Sequence, residues 1–578
     1  MSSSPFAALR LARPALRHLV GPFALVALSL VTGCGGQDAT SAADDAAAAN
    51  DTGSATSGGD VVDGAASDAA TPIPFATWYG HIQPIVQRSC LGCHAKGGIA
   101  PFALDTPEAV VAMGPVLVPA IASGRMPPWG AQDTALCKPP LPWKHDLRLS
   151  AQERATIAAW IADGGKLGDP ADAPKSVEIP PDKLGRVDRS LTAKTPFVTS
   201  GTKDQFICFV LDPELVEDVW IRGVHFRAGN AKVAHHALLF VDEAGKSVAL
   251  GGADGRYPCF GGPKIDGRLI AAWAPGGVPA EMPASAGLPI AKGSKLVIQM
   301  HYHPIGSEQP DATTVELEFT DGRPQWTALS MLIGNFPGAI GGGDGLLPGP
   351  NDDGKVKFEI PAGATDHSET MVWTLPKFQG ASIGGLRLFG VATHMHYVGR
   401  DMRIWVEPGQ KPGLCDDTVR ANLGACLDTA CGGKVGSDLV TCAVIGCSKQ
   451  VNAAPVACQQ CMVAASGAGA KPMWDVCAPT ADAPGTPEVC LLHTPAWDFN
   501  WQRYYFFDAP VEQLPSFGTG DRLWMRCGYD NSKSNPGVVQ ALLGQGKDAP
   551  ATVRLGEETL DEMCLAALYL LIPTAPKQ

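Results

Sequence analysis

The stretch LRLFGVATHMH, residues 386–396, decides the fold of this chain. Apolar and polar positions alternate in it, and Val391 and Phe389 favour extended backbone, so it is predicted to be a β-strand. Residues two apart on a strand share a face, so His394 and His396 point the same way and can reach one ligand. EDVWIRGVHF (217–226), SKLVIQMHYHP (294–304) and DRLWMRCGYD (521–530) repeat the pattern, with turn residues between them. Such punctuation, with 66 glycines and 49 prolines and few long amphipathic helices, predicts antiparallel sandwiches.

Two further histidine motifs lie upstream. QMHYHP carries His301 and His303, again two apart. VAHHALLF, 233–240, sets His235 beside His236. Neighbours on a regular strand face opposite ways, so this pair needs a bulge or a strand end to converge. Near the end, GEETLDEMC places Met563. Imidazole suits copper and zinc alike; a thioether selects copper, above all Cu(I). Histidines alone leave a zinc hydrolase open, and Met563 tips the set to copper. His225, His303, His367 and His493 read as structural, solvent-facing or supporting residues.

At 578 residues the chain exceeds one ordinary core. A net charge of -13 without a Lys/Arg block in its mature part argues against nucleic acid as a partner. The N-terminus is basic at Arg10, Arg13 and Arg17, then apolar from 19 to 31, too short for a membrane span. It ends in LVTGC, which resembles a bacterial lipoprotein box with Cys34 lipidated; an ordinary secretory peptide cut elsewhere is the alternative. Residues 35–72 are Ala/Ser/Gly/Asp-rich and read as a disordered tether. The expected location is the cell envelope, exported and membrane-anchored through lipid, with the outer membrane favoured by resemblance.

TWYGHIQPIVQRSCLGCHAKGG, 77–98, ends a helical pattern in CxxCH. Two thiols at this spacing can form thioethers with haem vinyls while His94 ligates the iron. A bare CxxCH could also be a redox dithiol or half a zinc site. GRMPPW places Met126 in a loop before two prolines, and LSAQERATIAAWIADGG reads as a closing helix. The region 73–170 resembles small bacterial c-type cytochromes, with one covalent haem c on Cys90, Cys93 and His94 and Met126 as distal ligand, Met113 its competitor. His81 and His145 are read as surface or packing residues. Of the 17 cysteines, setting aside Cys34, Cys90 and Cys93 leaves an even number, which fits disulfides in an oxidising compartment. Nine crowd into 415–490, so at least one pairs outside that segment or stays free.

Taken together, the ordered motifs resemble the copper type II, ascorbate-dependent monooxygenases, the family of peptidylglycine α-hydroxylating and dopamine β-hydroxylating enzymes. HHALLF, AWAPGG…GSKLVIQMHYH, THMHYVG and EMC carry the resemblance, and WDFNWQRYYFF, YDNSKSNP and GEETLDEM are similar to its bacterial branch. The resemblance implies two copper ions, one on His235, His236 and His301 for electron transfer, the other on His394, His396 and Met563 where oxygen and substrate react. It implies a disulfide between Cys527 and Cys564 bracing Met563. The implied architecture is multidomain: a signal segment 1–34, a small all-α cytochrome domain, then two jelly-roll-like antiparallel sandwiches at 185–322 and 323–578, facing a cleft, with a Cys-rich insertion at 408–494.

The departures narrow the substrate. Peptide-hydroxylating members clamp a carboxylate with an arginine, an asparagine and a tyrosine; the matching positions here are Ala392, Leu565 and Ala567. A glycine-extended peptide is therefore a poor fit. The insertion either covers the cleft or decorates a distant surface. The expected reaction is hydroxylation of a C–H bond of a small molecule by oxygen, with two further electrons from an upstream donor passed through the fused haem. The alternative is a surface electron-transfer or copper-handling protein; a scaffold presenting the Cys-rich insert is a third reading.

Overall fold

In the computed structural model the described residues are 71–335, 345–375, 385–409, 415, 417–468, 473–474, 477, 488–556 and 561–574. Cys34 and the tether up to residue 70 lie outside them. Short helices come first. Thr77 caps a π-turn at Trp78–Ile82, which runs into helices Gln83–Ser89 and Leu91–His94. The closing helix, Ala151–Ala162, begins in a capping box of Ser150 and Glu153 and stops before Gly164 and Gly165, both at positive φ. Ile82, Ile85, Val86, Leu104, Val110, Ile157 and Trp160 form their core. Arg88 and Glu153, 2.9 Å apart, tie the helix before CxxCH to the closing helix.

Between these helices, residues 129–145 leave the helical region and lie along the β body. Trp143 bridges to Phe507 and stacks on its ring at 4.7 Å. The N–H of Lys144 donates to Phe506 O at 2.7 Å and that of Gln132 to His493 O at 2.9 Å. A disulfide from Cys137 to Cys490 fixes the arm. Trp129, Ala131 and Trp143 belong to the core of the body, so the boundary expected at 170 does not separate all of 73–170 from the β-sheets.

The body is antiparallel β, as the alternation predicts. A five-stranded sheet runs Arg256–Pro258, Gln205–Leu211, Lys295–Tyr302, Ala234–Asp242, Arg268–Trp273. A ten-stranded sheet includes Val219–Arg227 and Thr314–Phe319 at one end and Trp326–Gly334, Leu565–Pro573, Leu386–His394 and Tyr504–Phe506 at the other. Its halves join where Trp326 and Thr327 pair in parallel with Ala286 and Gly287, so one sheet runs across the boundary expected at 322. A four-stranded sheet, His367–Thr374, Arg522–Tyr529, Gly399–Glu407 and Val489–Thr494, backs the second half.

The Cys-rich insertion is helical, with Asp417–Cys431, Gly436–Gly446, Ser448–Ala453 and Val456–Ala465 around a small core of its own. Disulfides Cys415–Cys458, Cys426–Cys447, Cys431–Cys442 and Cys461–Cys477 close within it. Cys490 is the odd cysteine that pairs outside, with Cys137. Cys208–Cys259 and Cys527–Cys564 complete seven bridges, a set suited to an oxidising compartment. Among the described residues no helix is long and apolar enough to cross a membrane.

Candidate metal centre

His236 pairs with His301 across the sheet, and the next pairing is Ala234 with Tyr302. His235 is thus the extra residue of a bulge, the device that adjacent histidines need in order to converge. The Nδ1 atoms of His235 and His236 are 3.2 Å apart, and those of His236 and His301 3.3 Å. Nitrogens of all three rings lie within 4.8 Å of one another. His301 stacks on Phe206 at 4.2 Å. Its far nitrogen, Nε2, is 3.0 Å from Asp204 Oδ2, a close charge contact rather than an aligned hydrogen bond. The other oxygen of Asp204 meets His303 Nδ1 at 2.8 Å, and the His303 ring is largely exposed. Burial opposes the charge on Asp204, but these two histidines outweigh it and hold the carboxyl well below its usual range.

His394 is the last residue of its strand and His396 lies two residues beyond it, with ring centroids 5.2 Å apart. His394 Nδ1 is 2.6 Å from Gln502 Oε1, and the Gln502 amide nitrogen donates to Phe499 O at 2.9 Å. That second bond fixes the amide, so His394 Nδ1 is the donor. His396 Nδ1 is 3.0 Å from the carbonyl of Asp561, which only accepts. Both rings therefore carry their lone pair on Nε2. Glu562 accepts from the backbone N–H of His396 and, at 2.8 Å, from that of Met563, strapping the methionine segment to the histidine strand. Burial pushes its carboxyl up to about 8, against these hydrogen bonds. Tyr529 Oη donates to Met563 O at 3.0 Å, and the Cys527–Cys564 disulfide holds the next residue.

His236 and His301 of the first group and His394, His396 and Met563 line one cavity of about 810 Å³. Its floor is a face of the five-stranded sheet, with His236, Leu238 and Phe240 on one strand and Gln299 and His301 on the next. Its roof is a face of the ten-stranded sheet, with Ala392, His394, Leu565, Ala567, Leu332 and Tyr504. Phe499 sits between the sets, 5.4 Å from the His235 ring and 6.0 Å from the His396 ring. Burial, then the neighbouring imidazoles, keeps His236 well below its ordinary value; burial also lowers His394 despite the Gln502 bond. Neutral imidazole is the metal-binding form. Ala392, Leu565 and Ala567 make an apolar wall. None of the described residues of the Cys-rich insertion lines the cavity.

In the helical region Cys90 and Cys93 are the free thiols among the described residues. Burial pushes the Cys90 thiol up to about 12 and raises that of Cys93. His94 Nδ1 is 3.0 Å from Phe102 O, so its Nε2 carries the lone pair. Met113, Met126 and Cys90 all pack against the apolar core of the helical region. A Cβ at Gly276, in the cavity wall, would stand 2.8 Å from Cys93 Sγ, which brings the CxxCH segment against the β body.

Among the described residues, the remaining histidines have structural partners, with one exception. His225 bonds Glu316, His367 bonds Glu369 and Asn351, His493 bonds Thr134, and His81 accepts from the Thr77 N–H. His145, read as a surface or packing residue, instead lines the cavity, with φ of 53° and a buried Nδ1 lacking a hydrogen bond. Sequence reasoning missed Asp204, Gln502, Phe499 and Asp561 as supports of the imidazoles. Gln502 and Phe499 lie within WDFNWQRYYFF, which was a usable signal; Asp204 has none.

No family model matches the chain, and no curated protein does. Among solved structures, the crystal structure of the infectious bursal disease virus VP2 subviral particle is 10% identical over 68% of this chain and 74% of that one, at a TM-score of 0.14, too slight a likeness to carry any argument.

Proposed function

We propose that this chain is a copper-dependent monooxygenase that hydroxylates a C–H bond of a small molecule with molecular oxygen, fed by a c-type haem. The supporting observation is the pair of imidazole sets on facing sheets of one cavity, with Nδ1 atoms converging in one set and Nδ1 atoms engaged elsewhere in the other. His235, His236 and His301 would hold one copper, and His394, His396 and Met563 the other. The donor sets fit: three imidazoles in one, two imidazoles and a thioether in the other. Cys90, Cys93 and His94, with Met126, would hold haem c, and the His94 Nδ1 contact suits ligation through Nε2. When bound, copper supplies oxygen activation and haem c delivers electrons singly.

The chain's own residues do the rest. Gln502 and Asp561 keep the Nε2 atoms of His394 and His396 unprotonated. The Cys527–Cys564 bridge and Tyr529 position a thioether that is a weak ligand by nature. Apolar walls exclude water from the reacting C–H bond. The overall balance consumes oxygen, two electrons from an upstream donor and two protons, and gives the alcohol and water. Export with a lipid anchor at Cys34 completes the reading.

The test is copper per haem in the mature, haem-loaded protein. Two coppers are expected, and Met563→Ile should lose oxygenation while keeping the fold and the copper on His235, His236 and His301. One copper or none in the unmodified protein would rule the paired-centre oxygenase out.

A further inference from the structure

The face where the CxxCH segment meets the β body carries a charge. Gly276 follows strand Arg268–Trp273 in a turn, at a φ of 78°. The point a Cβ on it would occupy lies 2.8 Å from Cys93 Sγ and 3.9 Å from both Arg503 Nη2 and Ile99 Cδ1. Bare backbone there lets the sulfur and the guanidinium close on one spot beside the cavity, which Gly276 and Arg503 both line. The arm of residues 129–145 holds Arg503 in place. Its guanidinium carbon lies 5.2 Å from the centre of the Trp129 ring, and that ring meets Tyr505 edge-on at 5.1 Å.

Each thiol of the motif has an arginine near it, and the two arginines differ. Burial raises both thiols, while Arg88 pulls that of Cys90 down and Arg503 that of Cys93. Arg88 is paired with Glu153 at 2.9 Å, so its charge is cancelled close by. Among the described residues no carboxylate pairs with Arg503, whose partner is the Trp129 ring. Lys96, just beyond the motif, is exposed and screened by water, whereas Arg503 is half-buried. A fixed, poorly screened positive charge favours the haem state with one positive charge fewer, which is the reduced one.

We propose that Arg503 raises the reduction potential of the haem carried by Cys90 and Cys93, and so favours uptake of electrons from an upstream one-electron donor. This rests on the haem part of the monooxygenase reading. In the step concerned the donor is oxidised, ferric haem becomes ferrous, no bond forms and no proton moves. Arg503 is a positioning residue, acting by its charge beside the Cys93 sulfur. The same placement sets that sulfur against the wall of the cavity that His236, His301, His394 and His396 line.

The midpoint potential of the haem in the mature, haem-loaded, copper-free protein tests this, followed by absorbance during an electrochemical titration. Arg503→Gln should disfavour reduction by about tenfold, which is about 59 mV for one electron. Arg503→Lys keeps the charge and loses the planar stack on Trp129, so it should retain most of the potential. Arg503→Glu should lower it further than Arg503→Gln. An order of Lys, Gln, Glu that follows charge supports the proposal. An unchanged potential in Arg503→Gln, or equal loss in all three variants, overturns it, and equal loss would leave Arg503 a packing role alone. Mature protein without covalent haem on Cys90 and Cys93 overturns it together with the haem reading. The charge-ordered shift in a protein whose unmodified form holds fewer than two coppers per haem would sink the oxygenase and leave the role of Arg503 standing.

Discussion

At the scale of single residues, each imidazole is set by the atom behind it. Gln502 can accept from His394 Nδ1 because its amide nitrogen is already committed to Phe499 O. Replacing Gln502 by leucine frees the ring to take the other tautomer. On the proposed reading, copper affinity at His394, His396 and Met563 should fall by about 10–100-fold, read by titration with a competing chelator, while copper proposed for the other set is unaffected. Asp204→Asn should act in the same direction on the other set, through its contact with His301. The proposed ligands were legible because strand periodicity and the copper preference of a thioether are local facts. Asp204 was not, because 97 residues separate it from His301, and Gln502, 108 residues from His394, stood in a conspicuous motif that does not say which ring it supports. No local pattern announces such a partnership.

Among the elements, the closing helix of the N-terminal region offers a pH test. Burial alone would raise the Glu153 carboxyl, but the Arg88 guanidinium and the Ser150 cap outweigh it and lower the value from 4.5. A depressed acid stabilises the fold above its unfolded value and loses that contribution as pH falls through the folded one. Glu153→Gln should therefore cost about 1 kcal/mol at neutral pH and progressively less below pH ~4.5. Thermal melts of both proteins across that range check it; a pH-independent difference would contradict the ion pair. The strands and this helix could be read from alternation and capping residues. The insertion's helices could not, because cysteine spacing gives no connectivity and small residues such as Ala and Gly carry little periodicity. The bulge at His235 was foreseeable for a geometric reason, since two adjacent side chains cannot share a face of a regular strand.

For the whole molecule, the joint between the helical region and the β body is covalent as well as packed. Cys137→Ser with Cys490→Ser should lower stability by roughly 2–5 kcal/mol and open residues 129–145 to proteolysis. Gly276→Ala puts a Cβ 2.8 Å from Cys93 Sγ at a φ of 78°, and should cost about 1 kcal/mol or more, seen as a lower melting temperature. The arm itself was not legible: WGAQDTALCKPPLPWKH has no periodicity, and the hydrogen bonds that tie it to the β body go to residues more than 350 positions away.

The Cys137–Cys490 bridge also sets a calendar for the chain. Cys490 follows Cys137 by 353 residues, so during synthesis from the N-terminus Cys137 waits through most of the chain before its partner exists. In that interval Cys90 and Cys93 are the nearest thiols upstream, and an oxidant acting early would join the wrong pair. Correct maturation therefore favours chemistry that occupies Cys90 and Cys93 before the last third of the protein arrives, and the latch between arm and body is among the final bonds to close.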